Sequence, residues 1–260
     1  MSLLQRRWGS SLGGLLTGTP LIAGPVLLAL GLDYGAKFAS DAAAGGLQAM
    51  TAVALYAAVY ASAAARWKLR WAASLSVAFA AYAVVMGVII VLPLNLMSSF
   101  LLTTAAQWFA IRSLPLKRDM DVACRTAPPW WDIPLRMVLA AILVWTVAAI
   151  GERVGARLSG LLTPFPIATT VLAVFTHRHD GPGAAAGFLR GLLFGMSSLA
   201  VFFAATAATL GMMEMTAAFV WSTLASLVTS AVLWLFSRPA AAVSDTVREP
   251  DAALSIRKPN

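Results

Sequence analysis

The chain has 260 residues, 60% of them hydrophobic and only 12% charged, about half the charged share of an ordinary soluble domain. With a mean hydropathy of +0.79, a water-soluble fold of this length could not hide its apolar surface, so the surrounding medium must itself be apolar. The net charge of +8 is then read as topology signals and contacts with anionic lipid heads, and nucleic acid is not expected as a partner.

Seven windows carry no charged residue: Trp8–Leu32, Ala42–Ala65, Trp71–Ile111, Met137–Gly151, Leu158–Thr176, Gly191–Met213 and Met215–Ser237. A helix needs about 20 residues to cross the hydrocarbon. Most windows match one crossing, but Trp71–Ile111 is 41 residues long and divides at Pro93 into spans 3 and 4. Span 5 becomes long enough if it reaches back through Ile133, with Arg136 snorkelling to the interface. The expected fold class is therefore an all-α membrane protein of eight spans. The windows are continuously apolar rather than alternating, which excludes β-barrel strands. Helices, which pair their own backbone groups, are the remaining solution in lipid.

Orientation follows from the basic residues. With the N-terminus in the cytoplasm, sixteen of the nineteen Lys and Arg fall on cytoplasmic segments. The opposite face holds Lys37, Arg153 and Arg157. The positive-inside rule thus places both termini in the cytoplasm of a bacterial inner membrane. Trp8, Trp67, Trp71, Trp108, Trp130 and Trp131 lie near span ends, where amphipathic rings favour the headgroup layer. No cleavable signal peptide is expected. The single Cys124 leaves no internal disulfide, and no Cys/His group has metal-ligand spacing.

Shifted by 146 residues, the chain falls on itself. The run from Arg7 to Pro20 (RWGSSLGGLLTGTP) meets that from Arg153 to Pro166 (RVGARLSGLLTPFP), and 14 of 50 positions between residues 7 and 56 are identical. Gly35 meets Gly181, Gly45 meets Gly191 and Met50 meets Met196. Apolar composition alone would not gather Gly, Thr, Pro and Arg at one offset. Five spans separate corresponding points, so the two copies are expected to be inverted repeats, a plan common in secondary transporters. The expected organisation is residues 1–113 as the first repeat (spans 1–3) with linker span 4, and 114–132 as a cytoplasmic connector. Residues 133–237 form the second repeat with spans 5–8, and 238–260 a disordered cytoplasmic tail. Span 5 has no counterpart before the first copy; either that copy lost it or the start lies upstream.

Candidate chemistry is sparse. Thr17, Thr19 and Pro20 interrupt span 1, and Thr163 and Pro166 interrupt span 6. Freed carbonyls and adjacent hydroxyls at such breaks can coordinate an ion or a polar group, so these five are the candidate substrate-binding residues. The alternative is a pair of repacked kinks, with each Thr bonded to its own backbone. Asp41, Arg190, His177, His179 and Glu214 are candidates for gating or coupling, because ionisable groups near the membrane are costly to keep. Gly183, Gly187, Gly191 and Gly195 form a small-residue stripe, matched in span 2 by Asp41, Gly45 and Ala49, that suits close helix packing. Gln48, Asn95 and Gln107 either line a cavity or bond across helices. No nucleophile–base pair, phosphate loop or metal set is present, so neither enzymatic activity nor a cofactor is expected.

The run from Leu158 to His177 (LSGLLTPFPIATTVLAVFTH) resembles the G-L-x-P-x-F-P segment and following His of the GlpM-like family of small bacterial membrane proteins. The likeness covers spans 5–8 most clearly and implies a multi-pass inner-membrane protein. The first copy departs from it, with Gly18 and Thr19 in place of Pro164 and Phe165. The expected function is secondary transport or export of a small solute or lipid-linked precursor. The alternative is a non-transporting scaffold or accessory subunit of an envelope-synthesis complex. The expected partners are the bilayer and that solute, with a homodimer left open. Reporter fusions at residues 35 and 181 should report opposite faces of the membrane; a shared face would remove the inversion.

Overall fold

A computed structural model of the chain describes residues 20, 23–114, 138, 142, 145, 155–164, 166–179 and 181–237. Among them there are seven helices and no strand: α1 (Ala23–Tyr34), α2 (Ala36–Ala65), α3 (Trp71–Val91), α4 (Leu96–Ser113), α5 (Ile167–His179), α6 (Pro182–Thr209) and α7 (Met215–Ser237). Residues 155–162 form a further helical segment, and positions 138, 142 and 145 of span 5 are helical. Thr17, Thr19, Cys124, most of the connector and the tail lie outside the described residues. Among the described residues four helices are long and apolar enough to cross a membrane: α2, α3, α6 and, over Met215–Leu233, α7.

The breaks fall where Pro and Asn demand them. α3 stops at Val91, Pro93 follows, and the Asn95 side chain accepts a hydrogen bond at 2.8 Å from the Ser98 amide to cap α4. Span 6 is likewise discontinuous, helical over 155–162 and again from Ile167, with a turn at Thr163 and Pro164 between. α2 starts at Ala36, six residues before the charge-free window, so Lys37 and Asp41 sit inside its first turns and pair at 3.3 Å across one turn.

α2 is the axis of the molecule. Its most apolar 18-residue window is 83% buried, against 22% for those of α3 and α7, and it packs on α1, α3, α4 and α6. Alanine and glycine dominate its sequence, which lets neighbouring backbones approach. α6 lies along α2 and runs antiparallel to it. Ser40, near the start of α2, donates to the Ala207 carbonyl near the end of α6 at 2.8 Å, and a Cβ on Gly46 would meet the Phe203 ring. α4 is fastened to α2 by buried polar groups. Thr51 and Thr103 share a hydrogen bond at 3.0 Å, Thr103 donates to the Leu47 carbonyl at 2.8 Å, and Gln48 donates to Ser99 at 3.1 Å. Gln107 carries α4 on to α6 through the Met196 carbonyl at 3.4 Å.

The two sequence copies have matching local geometry. Subtracting 146 from the bounds of α5, α6 and α7 gives 21–33, 36–63 and 69–91, against 23–34, 36–65 and 71–91 for α1 to α3. Gly35 and Gly181 precede α2 and α6 with φ of 89° and 90°, a left-handed conformation that favours glycine. The amides four residues on, at Ala39 and Ala185, return to their carbonyls at the same 3.2 Å. Pro20 and Pro166 each accept from the amide four residues ahead, of Gly24 and Thr170, at 2.8 Å. The packing also corresponds: α3 touches α5, and α7 touches α1.

Polar groups turn inward and large apolar groups outward. Gln48, Thr51, Thr103, Gln107 and Thr206 are buried, whereas Val84 and Val91 on α3, Leu101 and Phe109 on α4, and Val228 and Leu235 on α7 are more than half exposed. In water each such side chain would forgo roughly 1.5–3 kcal/mol of burial energy. The outer surface thus suits hydrocarbon.

The tightest approach joins α2 to the 155–162 segment, where a Cβ on Gly45 would strike the Arg157 carbonyl and one on Gly160 the Ala42 carbonyl. Gly45→Ala and Gly160→Ala should each lower thermal stability in detergent by about 1–3 kcal/mol, the usual cost of overpacking. Gly87→Ala, whose Cβ would meet nothing within 4 Å, should stay within about 0.5 kcal/mol of the parent.

Candidate functional site

The glycine contact between α2 and the 155–162 segment leaves a pocket beside it. The pocket has a volume of about 520 Å³ and is lined from α2 by Asp41, Ala44, Gly45 and Gln48, from the α3–α4 turn by Pro93 and Leu94, and from the helical segment by residues 155–158. Its size falls within the range of small-molecule sites.

Arg157 organises this region. α3 ends with carbonyls that its own helix cannot pair, and the Arg157 guanidinium gathers them. Nη2 donates to the Ile89 and Leu92 carbonyls at 2.9 Å each, and Nη1 donates to the Ile90 carbonyl at 3.3 Å. Nε and Nη2 reach the Gln48 side-chain oxygen at 3.2 and 3.1 Å. A cation at a helix C-terminus also meets the negative end of the helix dipole. Gln48 is held in turn by Ser99 and by the Leu94 carbonyl at 3.4 Å. One guanidinium therefore ties α2, the end of α3 and the 155–162 segment together, and Gln48 extends the network to α4.

A second polar group joins α5 to α2. The Tyr56 hydroxyl shares a hydrogen bond with Thr170 at 2.8 Å, and the Tyr60 hydroxyl shares one with His177 Nδ1 at 3.3 Å. The Tyr60 and His177 rings stand edge to face. Burial holds the His177 imidazole, just beyond the apolar window of span 6, below its ordinary range. Arg178 stacks over Trp71, at the start of α3, at 5.4 Å.

Of the ten candidate residues read from sequence, Asp41 alone lines the pocket. Thr17 and Thr19 lie outside the described residues, as does the His179 side chain. Pro20 and Pro166 are buried at the starts of α1 and α5. Thr163 is buried and donates to the Ser159 carbonyl at 3.0 Å, so its hydroxyl is committed to its own helix in this conformation. Arg190 lies over the Phe194 ring at 6.0 Å, and Glu214 is exposed just before α7. Gln48 both lines the pocket and bonds across helices. Arg157 was legible only as an exception: it is one of three basic residues that the expected topology leaves off the cytoplasmic face, placed beside a span.

Arg157→Met should lower thermal stability in detergent, since hydrogen bonds to a charged group contribute about 1.5–3 kcal/mol. Arg157→Lys keeps the charge but not the planar fork and should recover only part of the loss. In a double-mutant cycle, Gln48→Leu should couple to Arg157→Met by at least about 0.5 kcal/mol.

Comparison with family models, with curated proteins and with solved structures finds no match to the chain.

Proposed function

We propose that the chain is an integral protein of a bacterial inner membrane, with eight spans and both termini cytoplasmic. Two inverted repeats, spans 1–3 and 6–8, move a small solute or lipid-linked precursor across the bilayer. The observation that carries this reading is the pairing of α2 with α6. They fall on each other at an offset of 146 residues, begin with the same left-handed glycine, and pack antiparallel. Corresponding helices that run in opposite directions are what inversion requires, and inverted units rocking about a shared axis are a common route to alternating access. The outward apolar faces of α3, α4 and α7 support the lipid setting. The interruption of span 6 at 163–166, which ends the helical segment bordering the pocket, supports a site beside a broken helix. Kinship with the GlpM-like family belongs to the same proposal and rests on the Leu158–His177 run.

A rival reading, a non-transporting scaffold of an envelope-synthesis complex, is favoured by the Thr163 hydroxyl bonding to its own helix rather than facing a cavity. Side-specific labelling separates the two. Thr163→Cys in a Cys124→Ser background would be probed with an impermeant maleimide in right-side-out and inside-out vesicles. A transporter exposes this position to each side in turn and should label in both preparations. Labelling from one side at most would remove the transport reading.

A further inference from the structure

We infer that the pocket beside Arg157 is an anion site, which takes a carboxylate or phosphate group on the open edge of the guanidinium. Arg157 is half-buried, and its partners are the Gln48 side-chain oxygen and the carbonyls of Ile89, Ile90 and Leu92. These oxygens satisfy N–H groups without supplying a full negative charge; the Gln48 amide is neutral and the end of α3 offers about half a charge. Among the described residues the one ion pair joins Lys37 to Asp41, so the nearest carboxylate on the pocket wall already faces a lysine. The cation at the pocket therefore lacks a carboxylate partner among the described residues.

The hydrogen bonds leave one edge of the guanidinium less committed than the other. A guanidinium has five N–H groups. Nε and Nη2 point to Gln48, Ile89 and Leu92 at 2.9–3.2 Å, whereas Nη1 has a single contact among the described residues, to Ile90 at 3.3 Å. Among the described residues nothing accepts from the other Nη1 hydrogen, which is the donor we assign to a ligand. Ala44, Pro93, Leu94 and Leu158 give the pocket that Arg157 lines part of its wall as apolar surface, which weakens competing hydration. Gln48 fixes the other edge of the fork, so the open edge is pre-oriented.

The corresponding part of the second repeat carries a different arginine. Ala44 and Gln48 of the pocket correspond, at offset 146, to Arg190 and Phe194 of α6, and there Arg190 lies over Phe194. Arg190 thus takes the place of Ala44 in the second copy, whereas Arg157 itself corresponds to Ser11. The assignment of the Arg157 pocket to the extracytoplasmic face, and of Arg190 to the opposite mouth, rests on the inverted topology proposed above. The preference for anions does not.

Charged thiol reagents test it without knowledge of the physiological solute. Ala44→Cys and Leu158→Cys, each in a Cys124→Ser background, would be reacted in proteoliposomes with a sulfonate-bearing and a trimethylammonium-bearing methanethiosulfonate. Normalised to a free thiol, the anionic reagent should react faster by about tenfold or more, the lower range of electrostatic focusing in a charged cleft. Arg157→Gln should abolish the preference and Arg157→Lys should retain it; if Arg157→Gln fails to fold, the preference in the parent background is itself decisive. Inorganic phosphate or succinate should slow the anionic reagent if the natural ligand is a free solute. Phosphatidylglycerol in place of phosphatidylcholine should slow it if the ligand is a lipid phosphate. Equal rates, a faster cationic reagent, or protection by none of these anions would overturn the anion site and leave the transport reading standing. Reaction with neither reagent would overturn the open pocket itself. Loss of two-sided labelling at Thr163 with the charge preference intact would overturn transport alone.

Discussion

At Gly45 and Gly160 the backbones of α2 and the 155–162 segment rest directly on each other, with no room for a Cβ on either side. Helices in lipid gain little from burying apolar surface against each other, so close contact and hydrogen bonding must hold them. This approach sets the depth at which the segment lies, and so where Arg157 emerges. A bulkier contact would withdraw the guanidinium from the carbonyl end of α3, and Gln48 would lose its cationic partner. The glycine contact and the guanidinium fork are two parts of one joint, the first setting distance and the second direction.

Around that joint the molecule is arranged inside out relative to a soluble protein. α2 threads the centre and is lined with small residues, while its few polar groups bind neighbours rather than water. Gln48 and Thr51 fasten α4, and Tyr56 and Tyr60 fasten α5. These hydrogen bonds are directional, so they fix rotation about the helix axis in a way that Ala–Ala contacts cannot. Buried without such partners, each polar group would carry a desolvation cost.

The two halves share their glycine turns and helix bounds, but the pocket breaks the symmetry. Gly45 and Gly160 have Gly191 and Gly14 at the corresponding positions, whereas Arg157 and Gln48 have Ser11 and Phe194. The residues that permit close packing are thus duplicated, and the hydrogen-bonded Arg157–Gln48 pair that lines the pocket is not. The divergence thus falls at polar positions, while the small residues are kept.

The sequence by itself determined where helices begin and break. Pro93 with Asn95, the Thr163–Pro166 run and the repeated glycines act through local backbone sterics, and each was readable in a window of a few residues. The offset of 146 was readable too, because Gly and Pro are rare enough to mark a register. Only the tertiary structure decided which face of each helix lies inside, and hence that Arg157 meets Gln48 from 109 positions away. The physical reason is the medium. In water, hydrophobic periodicity separates core from surface, but in lipid both faces are apolar and the pattern loses that information. α2 and α3 read alike as apolar runs, yet one is the axis and the other the rim. A long, flexible arginine beside a span has many reachable partners, and only the packed helices select among them.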